Sequence, residues 1–479
     1  MMQEKNYLAD TLRTALPIGE SFDLMERKLM IGGRDVSMFF VDGFVNNQVM
    51  PIVIGYLQDI TKDSIRKAEN AKELIQMSVP YLAASTESKL DMVLKQVFSG
   101  LIAVAIAGFD EVIMVDARVY PTRSVSEPSK EKSLRGAKDG FTEAFMMNIA
   151  LIRRRIRDPK LIFEAHVVGE RTKTDVSLVY IKGLADQQLV KNISTKLDQI
   201  KIASVSVGEQ TIVEQLLRLD KSKKSFLGWL NPFPKVRYTE RPDVVTAHLA
   251  EGKVAIIVDT SPTVILLPTG IFEFLQNADD YYFPALTGNF FRFLRTFNFI
   301  GILFLTPVFL LFAEKHIPSY EFIKFFIPSG DYAIPVFWQL ILLEIAIDAL
   351  KLASLSTPDS LGMSLSVIGA LILGEFAVSC GWFIPQTILC MAVLALAGFT
   401  QPSIELGYAM KFMRVLMLFG IEIGGIWGPI GAISGAIVAL IINFISLSTA
   451  KTLSGNSYLY PLFPFDKEAM RHLIFRTKQ

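Results

Sequence analysis

Residue types that bind transition metals are scarce in this chain. Its 479 residues include two cysteines and four histidines. Cys380 and Cys390 both lie in apolar runs, which predicts that they are small buried side chains. The histidines have none of the spacing that a metal site requires; they are His166, His248, His316 and His472. These observations argue against a zinc or copper enzyme and predict no metal site.

The chain also lacks an excess of charge of either sign. Its 48 lysines and arginines are balanced by 47 aspartates and glutamates, giving a net charge of +1. Bulk charge therefore predicts no nucleic-acid partner. The opening segment, "MMQEKNYLADTLRTALPIGE", carries charges throughout and has no apolar core, so it predicts no signal peptide. A large region without an export signal, ahead of the first membrane span, is expected to stay in the cytoplasm.

Catalytic patterns are missing from the first half of the sequence. It contains no phosphate-binding Gly-rich loop after a strand, no nucleophile elbow, and no paired His/Asp or Cys/His arrangement. Its acidic residues are plentiful but scattered. The sequence therefore predicts that the protein is not an enzyme and uses no cofactor.

Apolar side chains are abundant and unevenly distributed. Hydrophobic residues make up 51% of the chain, which is high for a soluble protein. Up to about Pro284 the sequence is dense in charged residues, as in soluble α/β proteins. From Phe297 to Ala450 apolar runs dominate and charges are sparse. This division predicts a soluble region followed by a membrane region.

The soluble half contains an internal repeat. Leu29–Gln48 and Val167–Gln188 each combine a strand, a Gly-containing turn, the triplet Asp-Val-Ser, a second strand and a helix start. Alternation in "DVSMFFVDG" and "DVSLVYIKG" is typical of half-buried strands. Ser99–Arg118 and Glu251–Pro268 form a second matching pair of apolar hairpins. The order hairpin, helices, hairpin thus occurs twice, which indicates duplication; chance similarity of hairpins is the alternative.

These patterns predict an α/β cytoplasmic region of two repeated ββα-type subdomains, followed by an all-α multi-span transmembrane domain. The predicted parts are a first α/β subdomain (1–120), a linker with a basic amphipathic helix (121–160), a second α/β subdomain (161–290), a transmembrane helical domain (291–450) and a cytoplasmic C-terminal tail (451–479). The basic helix ends in a cluster of Arg153, Arg154, Arg155 and Arg157. This cluster is either a solvated face in an interdomain connection or a docking surface for a neighbouring subunit or acidic headgroups.

Apolar stretches near the length needed to cross a bilayer predict six spans. They cover roughly Phe297–Ala313, Tyr332–Leu352, Leu361–Ser379, Phe383–Phe399, Val415–Trp427 and Ile430–Leu447. Several are short or contain Gly and Pro, so five spans, or four with re-entrant segments, is the alternative. With the first half inside, six spans place most basic residues of the membrane half on the cytoplasmic side, and the first outer loop mixes both signs without a positive excess. This agrees with the positive-inside rule.

The third stretch, which includes "LSVIGALILGEFAVSCG", carries a carboxylate near its middle. Helical spacing places five residues on one face: Ser364, Ile368, Leu371, Glu375 and Ser379. Small residues that allow a neighbouring helix to approach closely lie beside that face: Gly369, Ala370, Gly374 and Ala377. In a ring of subunits, Glu375 would form a carboxylate ring that favours cations, and Ile368 or Leu371 a hydrophobic constriction. Alternatively, Glu375 lies inside a bundle, either protonated or paired with a base such as Arg414.

Other charged residues interrupt the apolar stretches. In "WQLILLEIAIDALKL", Glu344, Asp348 and Lys351 share a helical face at spacings of four and three. One interpretation is an internally compensated structural network, to which we also assign Arg414. The other interpretation is an ion relay.

Three segments together resemble the A subunits of the GerA family of bacterial spore germination receptors. They are Pro121–Leu161, Glu251–Pro284 and Ser364–Pro385, and the resemblance extends over nearly the whole chain. The short extension before the first hairpin is more similar to the stage V sporulation protein AF branch, since receptor A subunits often carry a longer charged leader. The segment "SVIGALILGEFAV" is similar to a Gly-rich family pattern, but has Ala370 for a second Gly and Glu375 where Gln is common.

The resemblance implies an integral, multi-pass protein of the spore inner membrane, with its N-terminal domain and C-terminus on the cytoplasmic, spore-core side. It implies a ring-shaped cation channel, expected to be a homopentamer, that releases monovalent cations during germination. Implied partners are further copies of the chain, membrane lipid, and either a small membrane protein or the B and C subunits of a germinant receptor. A non-conducting adaptor subunit is the alternative function. A secondary transporter is a third, although the membrane half shows no internal repeat.

Overall fold

The computed structural model describes residues 7–78, 84–119, 128, 131, 135–219, 231–277, 279–317, 328, 332–356, 377–450, 452, 455, 457–467 and 470. The chain divides into two compact units. The first, which we call the α/β unit, comprises Met1–Lys223 and Val236–Pro268. The second, the helical unit, comprises Lys224–Lys235 and Thr269–Gln479.

The α/β unit consists of two halves with matching elements. The first half forms α1 Tyr7–Ala15, β1 Leu24–Ile31, β2 Arg34–Val41, α2 Met50–Gln58, α3 Lys62–Lys67, α4 Ala71–Ser78, β3 Ala84–Glu87, α5 Leu90–Val97, β4 Ile102–Ile106 and β5 Val112–Val115. The second half forms α6 Phe145–Arg155, β6 Leu161–Val168, β7 Thr174–Ile181, α7 Gln187–Gln199, α8 Gly208–Leu219, β8 Arg237–Thr239, α9 Pro242–Ala250, β9 Val254–Val258 and β10 Val264–Leu267.

Both halves contain a five-stranded antiparallel sheet of the same topology. The strand orders are β1-β2-β4-β5-β3 and β6-β7-β9-β10-β8. The register of the β2–β4 pair is the same as that of the β7–β9 pair. The two Asp-Val-Ser triplets therefore occupy equivalent positions. The N–H of Ala107 donates to the carbonyl of Asp35, and the N–H of Asp259 donates to that of Asp175, each at 2.9 Å. The predicted pair of repeated α/β subdomains is therefore confirmed.

The first sheet is covered on both faces, which explains its composition. Val36 of β2 lies in the core formed with α2, α3 and α4, whereas Phe39 of the same strand lies in the core formed with α1 and α5. A strand covered on both sides is expected to be apolar throughout. This is the case for "IAVAI" of β4 and "VAIIV" of β9, in which every residue is buried.

Each sheet ends in a short strand that hairpin patterns do not predict. β3 pairs with β5 at one edge of the first sheet, and β8 pairs with β10 at the equivalent edge of the second. These strands have only four and three residues, "ASTE" and "RYT". Because they are short and polar, they lack the apolar alternation on which the sequence prediction depends.

The helical unit contains five longer helices and three short helical segments among its described residues. The longer helices are α10 Ala285–Ala313, α11 Val336–Ser356, α12 Pro385–Phe399, α13 Ile404–Gly425 and α14 Pro429–Thr449. The short segments are a 3₁₀ helix, Ile271–Leu275, and one-turn helices at Asp279–Tyr282 and Ala377–Ser379.

Two described helices, α10 and α14, are long and apolar enough to cross a membrane, and α12 is apolar but shorter. The predicted third span, Leu361–Ser379, lies outside the described residues as far as Phe376. The count of six spans therefore stays a prediction. α10 begins at Ala285, well before the apolar run at Phe297, because its early arginines are buried within the unit: Arg292 and Arg295.

α13 and α14 pack at close range through glycines. A Cβ at Gly424 would collide with the carbonyl oxygen of Gly431, and a Cβ at Gly435 with that of Gly420. Small residues at such positions let two helix backbones approach each other. The sequence analysis assigns a small-residue strip to the third stretch and misses this one.

The bundle has two ends, which contacts at the two ends of α12 define. At one end, Gln339 of α11 accepts a hydrogen bond from the N–H of Ile384, just before α12, at 3.1 Å. At the other end, Asn298 of α10 donates to Thr400, just after α12, at 3.0 Å. We call the first the tryptophan end, since it carries three exposed tryptophans: Trp338, Trp382 and Trp427. We call the second the arginine end, after Arg292 and Arg295.

Candidate functional site

The predicted pore-lining helix falls largely outside the described residues. The members that lie there are Ser364, Ile368, Leu371 and Glu375, with the small residues Gly369, Ala370 and Gly374. Ala377 and Ser379 belong to the one-turn helix Ala377–Ser379, and Ser379 is exposed. The pore interpretation therefore stays a prediction.

A cluster of four charged side chains joins α11 to α13 inside the bundle. The Nη2 atom of Arg414 lies 2.6 Å from Oε2 of Glu344. Lys411 contributes an ammonium group 3.2 Å from Oε1 of Glu344, and it also forms an ion pair with Asp348. The spacing explains the geometry, because Glu344 and Asp348 share one face of α11, and Lys411 and Arg414 share one face of α13.

The cluster contains three members of the predicted network and adds Lys411. Glu344, Asp348 and Arg414 come together, and Lys351 has its ammonium over the ring of Phe399, 5.4 Å from the centroid. Lys411 is the member that the sequence analysis misses. The i, i+3 spacing of Lys411 and Arg414 is the signal that could have revealed it.

The cluster is centred on a deeply buried arginine and is electrically balanced. Arg414 is only 3% exposed and lies near the middle of α13. Its Nη1 atom donates to the carbonyl of Ile302 on α10 at 2.9 Å, so three helices meet at this guanidinium. Two carboxylates and two cations sum to zero, which is the condition under which charges are tolerated inside a membrane protein. Removal of one partner would leave a buried charge uncompensated.

The outer face of α13 has the opposite character. Four large apolar side chains are exposed at spacings of four, three and four, and so form one stripe along the helix: Phe412, Leu416, Phe419 and Ile423. Water disfavours such a stripe, whereas hydrocarbon favours it. Thus α13 turns Lys411 and Arg414 toward the bundle and an apolar stripe outward.

A second buried charge cluster lies at the arginine end. Arg295 donates from Nη1 to Asp280 Oδ2 and to the carbonyl of Leu275, each at 2.8 Å. Arg292 approaches the same carboxylate, with Nε 3.5 Å from Oδ2. A Cβ at Gly288 would collide with the carbonyl oxygen of Asp280, so glycine permits this contact. The cluster fixes the first turns of α10 to the segment that precedes it.

In the α/β unit, Arg153 of α6 is fully buried and joins the two halves. Its Nε and Nη2 atoms lie 2.9 and 3.1 Å from the two carboxylate oxygens of Asp23, a bidentate pair. Nη2 also donates to the carbonyl of Leu161 at 3.0 Å. The guanidinium lies over the rings of Phe98 and Phe163, 5.1 and 4.9 Å from their centroids. Since Asp23 and Phe98 belong to the first half, and Leu161 and Phe163 to the second, Arg153 holds the two subdomains together.

The predicted arginine cluster is therefore not one basic surface. Arg153 faces the core, so it is inaccessible to another subunit or to headgroups. Arg155 is partly buried, and its Nη2 lies 2.5 and 2.6 Å from the two carboxylate oxygens of Asp139. Arg154 and Arg157 are exposed. Because successive residues on a helix point in different directions, a run of like charges divides between inside and outside.

Two buried histidines of the α/β unit have opposite electrostatic environments. Nδ1 of His166 lies 2.7 Å from Asp198, and Nε2 lies 3.3 Å from Glu164. Burial lowers the pKa of His166, but hydrogen bonds to these carboxylates outweigh burial, and the net pKa lies above its usual value. Burial is the largest effect at His248 and lowers its pKa to about 4. His166 therefore favours the charged form and His248 the neutral form.

Within the described ranges, no group of three or more His, Cys, Asp or Glu side chains could hold a metal ion. Cys390 is buried, as predicted. Cys380 is exposed, contrary to prediction, because it lies in the turn before α12 at the tryptophan end.

An apolar exterior, buried and balanced charges, and two helices of membrane-crossing length define a membrane-associated protein with a duplicated α/β region. The chain matches the family described as Bacillus/Clostridium GerA spore germination protein over residues 11–479. It belongs to this family of spore germination proteins, which confirms the resemblance found in the sequence.

Individual relatives cover nearly the whole chain. Stage V sporulation protein AF of Bacillus subtilis (strain 168) is 34% identical over 96% of this chain and 90% of its own length. Spore germination protein KA of the same strain is 28% identical over 97% of this chain and 83% of its own length. Among solved structures, the chain is similar to the crystal structure of the N-terminal domain of the A subunit of the Bacillus megaterium spore germinant receptor GerK3, with 28% sequence identity. The match covers 56% of this chain and 96% of that domain, with a TM-score of 0.40.

Proposed function

We propose that this chain is a multi-pass subunit of the spore inner membrane that forms a ring, a homopentamer, and conducts monovalent cations during germination. Its N-terminal region and C-terminus would lie on the spore-core side. Partners would be further copies of the chain, membrane lipid, and a small membrane protein or the B and C subunits of a germinant receptor. No enzymatic activity is proposed.

The observation that supports this proposal most strongly is the distribution of side chains on α13. Its exterior carries the apolar stripe Phe412–Ile423, while Arg414 is buried and paired with Glu344. In water, folding would favour the reverse arrangement, since apolar burial drives it. In a bilayer, lipid-facing residues are apolar and ionisable residues face the bundle interior. Membership in a family of spore germination proteins then supports the spore membrane as the location.

Conduction would be carried out by the helix that contains Glu375. Copies of this helix around an axis would place Glu375 in a carboxylate ring and Ile368 or Leu371 at a constriction that gates by dewetting. The glycine contacts of α13 with α14 support a tightly packed wall behind such a pore. Exposed Arg154 and Arg157 are the members of the predicted docking cluster that could face a neighbouring subunit or acidic headgroups.

The experiment is cation flux through the purified full chain in liposomes. Leu371→Ala is expected to increase leak, because it widens the proposed constriction. Glu375→Gln is expected to reduce the preference for cations over anions, because it removes the carboxylate ring. Ile437→Ala, an exposed position on α14, serves as the matched control and is expected to leave the flux unchanged. Flux that is absent in the unmodified chain, or identical in all three variants, would contradict conduction.

A non-conducting adaptor subunit is the second candidate. The observation that favours it is the internal balance of Glu344, Asp348, Lys411 and Arg414, which suits a static structural core. An adaptor would show no flux in liposomes, and disruption of its cluster would reduce the assembly of germination proteins in spores. Normal assembly in the same variants would exclude this role.

A further inference from the structure

A compact aromatic turn follows α14, the last of the described apolar helices. α14 ends at Thr449, and the N–H of Tyr458 donates to the carbonyl of Ala450, the residue that caps this helix, at 3.1 Å. The segment from Ser457 to Asp466, which we call the aromatic turn, therefore stays beside the arginine end of α14. Its sequence is "SYLYPLFPFD".

The base of the aromatic turn is anchored in the helical unit. Tyr458 is fully buried, and its ring centroid lies 5.6 Å from that of Phe233. Its carbonyl accepts a hydrogen bond from the N–H of Ile271, the first residue of the 3₁₀ helix, at 3.1 Å. That 3₁₀ helix also supplies the carbonyl of Leu275 to Arg295. The aromatic turn, the 3₁₀ helix and the start of α10 thus meet at one level of the bundle.

Hydrogen bonds also fix the outer part of the turn. The N–H of Leu462 donates to the carbonyl of Leu459 at 2.7 Å. The hydroxyl of Tyr460 donates to Oδ2 of Asp466 at 2.8 Å, so the two ends of the segment are joined. These contacts hold the backbone of the turn in one shape.

The turn displays apolar side chains on its outside. Phe463 is 61% exposed and Phe465 is 69% exposed, and Leu462 beside them is also exposed. Single exposed apolar residues are common on protein surfaces, but a group of them on a fixed backbone indicates a surface that contacts something apolar.

The length of α14 defines where this surface lies. Its 21 residues span about 31 Å at 1.5 Å per residue, which matches the hydrocarbon core of a bilayer, about 30 Å thick. Exposed Trp427 precedes its first residue, and the aromatic turn follows its last. A helix that spans the core between these points would place both at headgroup level, where aromatic side chains are enriched.

Exposed aromatic residues at the arginine end also come from other elements. They include Phe290 and Phe293 of α10 and Phe399 of α12. α10 has 29 residues and is about 43 Å long, so its first turns extend beyond the hydrocarbon core. Aromatic side chains contributed by three separate elements at the same end of the bundle fit an extended membrane surface better than the localised patch of a protein partner.

From this arrangement we infer that the aromatic turn is an interfacial membrane anchor. It inserts Leu462, Phe463 and Phe465 among the lipid headgroups on the arginine side of the bilayer. Through Tyr458 and Ile271, it sets the depth at which the Asp280–Arg295 cluster lies. This inference rests on the proposed membrane location of the helical unit, but not on conduction.

Site-directed spin labelling of the full chain tests the anchor. Phe463→Cys and Phe465→Cys are made in a Cys380→Ser, Cys390→Ser background, and the labelled protein is reconstituted in vesicles of phosphatidylcholine and phosphatidylglycerol. Collisions with oxygen, which concentrates in lipid, are compared with collisions with a water-soluble nickel chelate. Ile437→Cys, exposed on α14, is the lipid reference, and Val207→Cys, exposed in the α/β unit, is the water reference.

The expected ratio of oxygen to nickel accessibility at positions 463 and 465 is several-fold higher than at position 207 and lower than at position 437. A ratio equal to that at position 207 would overturn the anchor, because it would place the turn in water. Protection from both reagents would also overturn it, because it would indicate a protein contact. If position 437 itself reports water, the membrane location fails, and the anchor fails with it.

Discussion

The two units each contain a buried arginine, but their surroundings differ. In the α/β unit, Arg153 is held by Asp23, a backbone carbonyl and two phenyl rings, and it joins two subdomains. In the helical unit, Arg414 belongs to a balanced cluster with Glu344, below an apolar exterior. Burial and pairing are alike in the two cases. What differs is the outer face of the helix: α6 exposes Arg154, whereas α13 exposes the stripe from Phe412 to Ile423. This difference separates a unit suited to water from one suited to lipid.

The glycines singled out in the two units also have different roles. In the α/β unit, Gly32 and Gly33 supply the positive φ angles of +54° and +81° needed by the tight turn between β1 and β2. In the helical unit, Gly424 and Gly435 lie inside helices and allow backbones to touch. Glycine thus shapes the β1–β2 turn in the α/β unit, and inside α13 and α14 it provides a packing surface.

The largest expected effect is from Arg153→Ala. It leaves Asp23 buried without its cation, and we expect the α/β unit to lose about 3–5 kcal/mol of stability. The measurement is hydrogen–deuterium exchange of β1 and β6 in the full chain in detergent. Arg157→Ala, at an exposed position in the same basic run, is the control and should change stability by less than about 0.5 kcal/mol. Equal exchange in the two variants would refute the role of Arg153 in holding the subdomains together.

Arg414→Met tests the equivalent point in the helical unit. It leaves two carboxylates with Lys411 alone, so we expect a loss of about 3 kcal/mol, measured as thermal unfolding of the full chain in detergent. Addition of Glu344→Gln restores neutrality, since Lys411 and Asp348 then remain as a pair. The double variant should therefore be more stable than the single one. A simple sum of two losses would show that charge balance is not what stabilises the cluster.

Gly424→Ala tests the close contact of α13 with α14. The added methyl group collides with the carbonyl of Gly431, and overpacking of this kind typically costs about 1–3 kcal/mol. Gly407→Ala on the same helix has open space for its methyl group and should be neutral or slightly stabilising. Thermal unfolding of both variants in detergent measures the difference. Equal melting temperatures would mean that the two helices are further apart than in the structure.

The smallest expected effect is the pH dependence due to His166. Because its folded pKa is raised above the usual 6.5, its contribution to stability is fully present below pH 6.5 and is lost as pH rises through the folded value. The stability difference between the unmodified chain and His166→Gln should therefore be larger at pH 5.5 than at pH 8. Hydrogen exchange of β6 at the two pH values measures it. A difference that grows with pH would reverse the assigned sign.

The sequence predicts local periodicity well. Both hairpins, the central apolar strands and the duplication follow from alternation within about ten residues. The edge strands β3 and β8 are missed because they are short and polar. The partition of the basic run into buried Arg153 and exposed Arg154 and Arg157 is also missed, since it depends on Asp23, which is distant in sequence.

In the helical unit, the spacing of Glu344 and Asp348 predicts one side of the charge cluster. The other side lies on the neighbouring helix, so assigning Lys411 requires both its i, i+3 spacing to Arg414 and the knowledge that α11 packs against α13. The early start of α10 is missed because charges normally end an apolar run, and here Arg295 is neutralised by Asp280. Exposed Cys380 is missed because an apolar sequence context does not distinguish a helix interior from a turn at its end.

The measurement that tests the proposed assembly most directly is electron cryomicroscopy of the full chain in lipid nanodiscs. Our proposal predicts a closed ring of copies with the helix that contains Glu375 innermost and the stripe from Phe412 to Ile423 facing lipid. A single copy in the disc, or a ring in which Glu375 faces lipid and the α13 stripe lines the centre, would contradict it.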